Sequence, residues 1–253
     1  MSFISGKIEG LKLRRKSAAF GITYLYTKDF HIPDRLKING RRKELKFNQK
    51  DSDAFIYEFS EICIHDCYRL QQLRKRLPQV RSVVDIGANQ GIFLVAARQT
   101  FPGAAIYAYE PNPHIYGNLS FNAASLEAAA YMEAVTREDC TMELSFGETD
   151  LHTTARADPQ GSSRGTAFRK IVERAGGRID ILKLDCEGGE WDLFEDTGTW
   201  QHIGGLSMEY HLWAKPGSTD KDIKAILERL GFEIVFHNPL SDRFGLITAV
   251  KKA

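Results

Sequence analysis

Carboxylates recur at the ends of apolar runs in this sequence, and their recurrence is the first sign of a reactive site. Asp85 begins the turn Asp-Ile-Gly-Ala-Asn-Gln-Gly91. Glu110 follows Ala105-Ile-Tyr-Ala-Tyr109. Asp185, Glu187 and Glu190 follow Ile179-Asp-Ile-Leu-Lys-Leu184, and Glu209 and His211 lie at the end of the run that starts at Ile203. In the glycine turn, Gly87 and Gly91 allow backbone to approach a ligand closely, and the helix beyond offers unpaired N–H groups. With Asn89 as its third residue, the turn lacks the G-x-G-x-x-G spacing of dinucleotide sites, and G-K-[ST] is absent, which excludes a P-loop. A carboxylate at Asp85 repels a pyrophosphate but attracts a cationic centre such as the amino group of a zwitterion. Glu110, 19 positions after Gly91, is placed to accept hydrogen bonds from both hydroxyls of a ribose. An acidic turn with an acidic ribose clamp suits S-adenosylmethionine better than NAD. Each feature also has a purely structural explanation, as a tight strand-to-helix turn or as a helix N-terminal charge.

These residues need strands to hold them. From residue 81 onward, strand and helix patterns alternate: strands at 82–86, 105–109, 130–135, 179–184 and 203–210, and helices at 92–100, 113–124, 168–175 and 220–230. A further strand is expected at 141–146, a closing pair at 232–236 and 246–250, and a loop over the Gly/Ser-rich residues 147–165, which hold His152, Arg156 and Arg164. Such alternation specifies an α/β fold with a doubly wound, mostly parallel sheet, and the pair joined without a helix fits one antiparallel strand. Ligands of such sheets bind outside the carboxyl ends of the strands, where the acids stand. Residues 1–78 read as an annex with β-leaning residues at 21–27 and a hairpin turn at Asn39-Gly40. A helix from Ala54 to Leu77 follows, with Asp53 as a cap and Pro78 as its stop.

Composition narrows the class further. The chain is 43% hydrophobic and 26% charged, which excludes disordered and fibrous readings. No apolar run approaches the ~18 residues of a membrane span, and the start lacks a secretory layout, so a cytoplasmic protein is expected. Residues 1–80 hold 17 Lys/Arg against 9 Asp/Glu, and the remainder 17 against 24. That asymmetry fits either an anionic partner for the annex or a scattered solvated surface. Cys63, Cys67, Cys140 and Cys186 include no C-x-x-C pair and read as free thiols.

Val83–Phe93, Tyr109-Glu-Pro-Asn-Pro113, Ile181–Glu190 and Met208-Glu-Tyr-His211 together resemble the FkbM-type methyltransferase family over residues 81–212. The third block, similar to a K-[IL]-D-x-E-G-x-E signature, is the most specific. The resemblance implies a class I, Rossmann-like S-adenosylmethionine-dependent methyltransferase fold of seven strands, the last antiparallel, over 79–253. It also implies O-methylation, often of sugar or polyketide hydroxyls. It further implies that Asp85, Gly87, Asn89 and Gly91 line the methionine end, Glu110 holds the ribose and Ala134-Val135 lies by the adenine.

A sulfonium methyl is already electrophilic, so methyl transfer needs an acceptor hydroxyl held in line and a base for its proton. His211 or Glu209 is the expected base, with Asp185 placing the acceptor or the cofactor amine and Glu187 beside them. The same acids with one imidazole would suit Mg or Mn, but no tight ligand spacing supports a metal and none is expected. The resemblance thus implies a saccharide or natural-product acceptor with a free hydroxyl, and a nucleic-acid acceptor is not expected, since no Asn-Pro-Pro-Tyr-like loop follows the fourth strand. Two alternatives stay open: an NAD-dependent oxidoreductase, and a non-catalytic nucleoside-binding module of the same fold.

Overall fold

The computed structural model describes residues 3–23, 32–48, 52–146 and 153–252. It begins with helix α1 (Phe3–Ala19), which hydrophobic periodicity does not announce because apolar and charged residues are mixed around its circumference. Of the β-leaning residues at 21–27, positions 24–27 lie outside the described residues, as does His152. The hairpin β1 (Arg35–Ile38) and β2 (Arg41–Glu44) turns at Asn39 and Gly40, whose φ values of 48° and 79° are the positive ones a tight hairpin requires.

The helix expected over 54–77 is three pieces: α2 (Ser52–Phe59), a π-helical turn (Ser60–His65) and α3 (Leu70–Arg76). Asp66 and Arg69 break it with left-handed φ values of 56° and 55°. The Asp66 carboxylate then caps α3 by accepting the N–H groups of Leu70 (2.7 Å) and Gln71 (3.1 Å). The apolar stripe reads through the break because both sides face one core. Phe59, Ile62, Leu70 and Leu73 pack with Phe93 and Leu94 of helix α4 (Ile92–Thr100).

Thirteen strands are described. In the main sheet are β3 (Ser82–Ile86), β4 (Ala105–Tyr109) and β5 (Ala129–Tyr131). A second sheet holds β6 (Ala134–Thr136), β7 (Cys140–Phe146), β8 (Thr153–Ala157) and β9 (Ser163–Ala167). The main sheet continues with β10 (Ile179–Leu184), β11 (Ile203–His211), β12 (Phe232–Pro239) and β13 (Phe244–Lys251). Its order is β12-β13-β11-β10-β3-β4-β5, with β13 antiparallel to both neighbours. The strand expected at 130–135 divides at Met132-Glu133 between the two sheets. The loop expected over 147–165 instead contains β8 and the start of β9; their exposed, polar residues carry no apolar alternation by which a strand is read.

Sequence-successive strands leave β3 in opposite directions, through β4 on one side and β10 on the other, so the crevice lies above these two. Asp85, Lys183, Ser207, Thr248 and Phe236 stand in register across five strands. Two residues nearer the strand ends, Glu209, Leu246 and Asn238 form a second row. Registered neighbours share a face and alternate residues return to it, so both rows point to one side of the sheet. Among the described residues no helix is long and apolar enough to cross a membrane.

Candidate active site

A cleft of about 1470 Å³ opens above the carboxyl ends of β3, β4, β10 and β11. Ligand sites commonly measure ~300–1,000 Å³, so this one has room for a nucleoside and a second molecule. Of the expected residues, Gly87, Asn89, Glu110, Ala134, Val135, Asp185, Glu187 and Glu209 line it. Asp85, Gly91 and His211 stand behind its wall.

On one half, Glu110 is 5% exposed and held by its own neighbours. Its Oε2 accepts the Asn89 N–H and its Oε1 the Asn112 N–H, both at 2.9 Å. Each oxygen keeps a lone pair for another donor. Burial nevertheless pushes its pKa up to about 6, against the two N–H groups and the Lys183 charge. The two glycines of the turn are also required by packing. A Cβ on Gly87 would lie 1.6 Å from the Asp185 carbonyl oxygen, and one on Gly91 would lie 2.7 Å from Leu94 Cδ1. Both glycines, with φ of 77° and 90°, let protein pack on protein.

Asp85 is fully buried beneath the crevice and does not itself border the cleft. Its charge faces Lys183 Nζ at 3.2 Å, in a geometry that leaves neither oxygen a hydrogen-bond donor. Burial raises its pKa against the pull of Lys183. Lys183 Nζ donates to the Gly87 carbonyl at 2.6 Å and lies 3.5 Å from Asp185 Oδ2. It therefore ties the floor of the glycine turn to the second half of the cleft.

That second half is crowded with charge. His211 is 4% exposed. Its backbone N–H (2.6 Å) and Nδ1 (3.1 Å) both meet Glu190 Oε1. Its Nε2 faces Glu209 (3.6 Å) and Glu187 (3.8 Å). Burial opposes charge on the ring, but the Glu190 and Glu209 contacts and the Asp185 charge prevail and raise its pKa to about 11, so it is an imidazolium. Burial raises Asp185, yet Lys183, His211 and the Tyr68 O–H (2.8 Å) outweigh it and hold that carboxyl below its usual value. Glu209 is raised, by burial first. One ligand atom each from Asp185, Glu209 and His211 lie within 4.8 Å of one another, a spacing a metal ion could share.

Three contributors, Glu58, Tyr68 and Lys183, escape the sequence reading, and Glu190 enters it only as one more strand-end acid. Tyr68 and Glu58 come from the annex, and burial lifts the Glu58 carboxyl to about 7 against the Lys183 charge. Glu190, which reads equally as a helix start, is fully buried and also accepts the Gly188 N–H at 3.0 Å. Lys183 did leave a signal: a lysine in the apolar second half of the strand Ile-Asp-Ile-Leu-Lys-Leu must be paired. Cys186 is no nucleophile, since burial and Glu190, 3.7 Å away, push its thiol far up.

The cleft fits a sulfonium nucleoside. A nearly sealed carboxylate with free lone pairs stands at one end, and the acids beyond exceed the cations that offset them. The chain is 28% identical to Methyltransferase sdnD of Sordaria araneosa, over 77% of this chain and 88% of that protein. It is 23% identical to Methyltransferase 1 of Beauveria bassiana (strain ARSEF 2860), over 71% and 81% respectively. Among solved structures it is similar to magnesium protoporphyrin IX methyltransferase (ChlM) from Synechocystis PCC 6803 with bound SAM. That likeness has a TM-score of 0.49 and 14% identity, over 83% of this chain and 86% of the other. The model of the Methyltransferase FkbM domain matches residues 85–234. More than half of the chain falls within that match and the acidic rim lies inside it, so the chain belongs to the FkbM-type methyltransferase family and is an S-adenosylmethionine-dependent methyltransferase.

Proposed function

We propose that this methyltransferase is O-specific, methylating a hydroxyl of a saccharide or natural-product acceptor, with Glu209 as the base. The observation that carries this reading is the grouping of Glu209, Asp185 and His211 at one end of a cleft whose other end holds Glu110. When bound, S-adenosylmethionine supplies an electrophilic methyl on its sulfonium, so the protein need provide no nucleophile. Its Glu110 carboxylate accepts the ribose hydroxyls, and Ala134 and Val135 border the base. Asp185, kept ionised by Lys183 and Tyr68, orients the acceptor hydroxyl or the cofactor amine. Of the two expected bases, His211 already holds its proton at neutral pH. Glu209 is free to take one, and its raised pKa brings it nearer the working pH, as efficient base catalysis requires. Glu190 fixes the imidazolium so that its Nε2 side faces Glu209 and supports the carboxylate before the transfer. In this reading residues 1–78 form the acceptor-side wall of the methyltransferase domain at 79–253.

A second reading gives Asp185, Glu209 and His211 to a divalent ion that would bind the acceptor oxygens; their mutual spacing favours it. One experiment addresses both: a screen of saccharide and natural-product hydroxyl acceptors with isotopically labelled methyl donor, with and without chelator. Labelled ether products that survive the chelator support Glu209 as a base working without metal. Loss of product on chelation, restored by Mg or Mn, supports the second reading. Label found only on nitrogen or carbon contradicts O-methylation.

A further inference from the structure

The cations that line the cleft are not equally occupied. Lys183 is paired with Asp85 and Asp185, Arg137 with Asp192, and Arg156 with Glu143 and Asp158. Arg69 is different. Its guanidinium carbon lies 3.9 Å above the Phe236 ring, and its Nε is sealed from solvent with no acceptor among the described residues. Asp66, the nearest acid in sequence, accepts the N–H groups of Leu70 and Gln71 and meets Arg69 only as a neighbouring charge, not in a hydrogen bond. A buried guanidinium nitrogen without an acceptor is costly. So is the left-handed backbone of a non-glycine residue, and such strain gathers where ligands bind. The position is nevertheless firmly built, because Ser207 Oγ donates to the Tyr68 carbonyl at 2.7 Å and pins the residue before Arg69 to the sheet.

The sheet register gives the distance to the reacting group. Phe236 is on β12 and Glu209 on β11, with β13 between them. Two inter-strand steps of ~4.8 Å across the sheet and two residues of ~3.3 Å along it put the Phe236 backbone about 12 Å from that of Glu209. Leu246 and Phe244 line the cleft along that path, and Leu240 and Trp213, 50% and 38% exposed, stand at its rim. The wall between the acid and the arginine is thus largely apolar.

We propose that Arg69, backed by Phe236, is an oxyanion-binding subsite, and that the methyl acceptor is an apolar molecule carrying a carboxylate or phosphate on the order of 12 Å from the hydroxyl that is methylated. A guanidinium stacked on an aromatic ring presents its fork edge-on and pairs with either oxyanion in a bidentate, charge-assisted contact. The subsite rests on the methyl-transfer reading of the cleft, so its test also reads the cofactor.

The test is calorimetric titration of the full chain, saturated with S-adenosylhomocysteine, using 1-naphthaleneacetate, 1-naphthyl phosphate and the neutral 1-naphthaleneacetamide. The expected result is that one anion binds about tenfold or more tightly than the amide. Which anion leads separates a carboxylate from a phosphate acceptor. The preference should vanish in Arg69→Gln, persist in part in Arg69→Lys, weaken in Phe236→Leu and remain in Arg137→Gln. Equal affinities for anion and amide, binding of neither, or a preference that survives Arg69→Gln would each overturn the proposal. The prior saturation step keeps the two readings apart: failure of wild type to take S-adenosylhomocysteine refutes the cofactor site, whereas normal uptake without anion preference refutes the subsite alone. Arg69→Gln protein that still takes S-adenosylhomocysteine is folded, so its loss of preference cannot be ascribed to unfolding.

Discussion

The two halves of the cleft solve the problem of burying acid in opposite ways. Glu110 is satisfied by backbone, by the N–H groups of Asn89 and Asn112 that belong to the turns following β3 and β4. Asp185, Glu209 and His211 are satisfied by charged and polar side chains, by Lys183 on β10, by Glu190 across the loop and at longest range by Tyr68 from the annex. A site built from backbone is preorganised whatever lies opposite. A site built from compensating side chains depends on every partner, and its charges can be rearranged by a ligand. The first arrangement suits a constant cofactor, and the second suits proton transfer and acceptor choice.

The sharpest way to break this contrast is at the seam. Lys183→Met would leave Asp85 buried with no counter-charge and deprive Asp185 of one. The expected loss of unfolding free energy is ~3–5 kcal/mol, the range for one partner removed from a buried pair, read by urea denaturation. A loss under ~1 kcal/mol would mean that water already screens these charges. Within the side-chain half, Glu209→Gln should lower turnover ~10²–10⁴-fold while S-adenosylhomocysteine affinity stays within about twofold of wild type. Turnover that survives assigns the proton to another group.

Protons distinguish the halves as well. The Glu110 pKa of about 6 means that S-adenosylhomocysteine affinity should rise about tenfold between pH 5 and pH 7 as that carboxyl ionises. The rise should be absent in Glu110→Gln. Glu58 carries the corresponding stability signature. Its folded pKa of about 7 lies above its ordinary value of 4.5, so the folded chain holds a proton that the unfolded chain has released. The stability it contributes is complete below pH 4.5 and is lost as pH rises toward 7. Glu58→Gln should flatten that part of the stability profile in the cofactor-free protein; an unchanged profile would show the carboxyl to be well solvated.

The same contrast explains what was legible in the sequence. The sheet, its single antiparallel strand, the Asn39-Gly40 hairpin and the Glu110 half follow from strand-to-helix alternation and from turns a few residues long. The FkbM-type membership sets aside the nicotinamide oxidoreductase alternative. The second half was legible only in its strand ends. Glu58, Tyr68 and Arg69 meet the sheet through a break in a helix that periodicity reads as continuous, because the apolar stripe stays on one side of it. Asp85 illustrates the reverse. Its spacing suggested contact with a ligand, but an acid that is not the last residue of a central strand lies beneath the crevice, and Lys183 in the same register row took its charge.

The central claim, that the backbone-held acid holds the nucleoside, is tested most directly by calorimetry with S-adenosylhomocysteine on wild-type and Glu110→Ala protein. A Kd weakened tenfold or more, about 1.4 kcal/mol, with unfolding still cooperative, is the result this account predicts. An unchanged Kd for Glu110→Ala would contradict it.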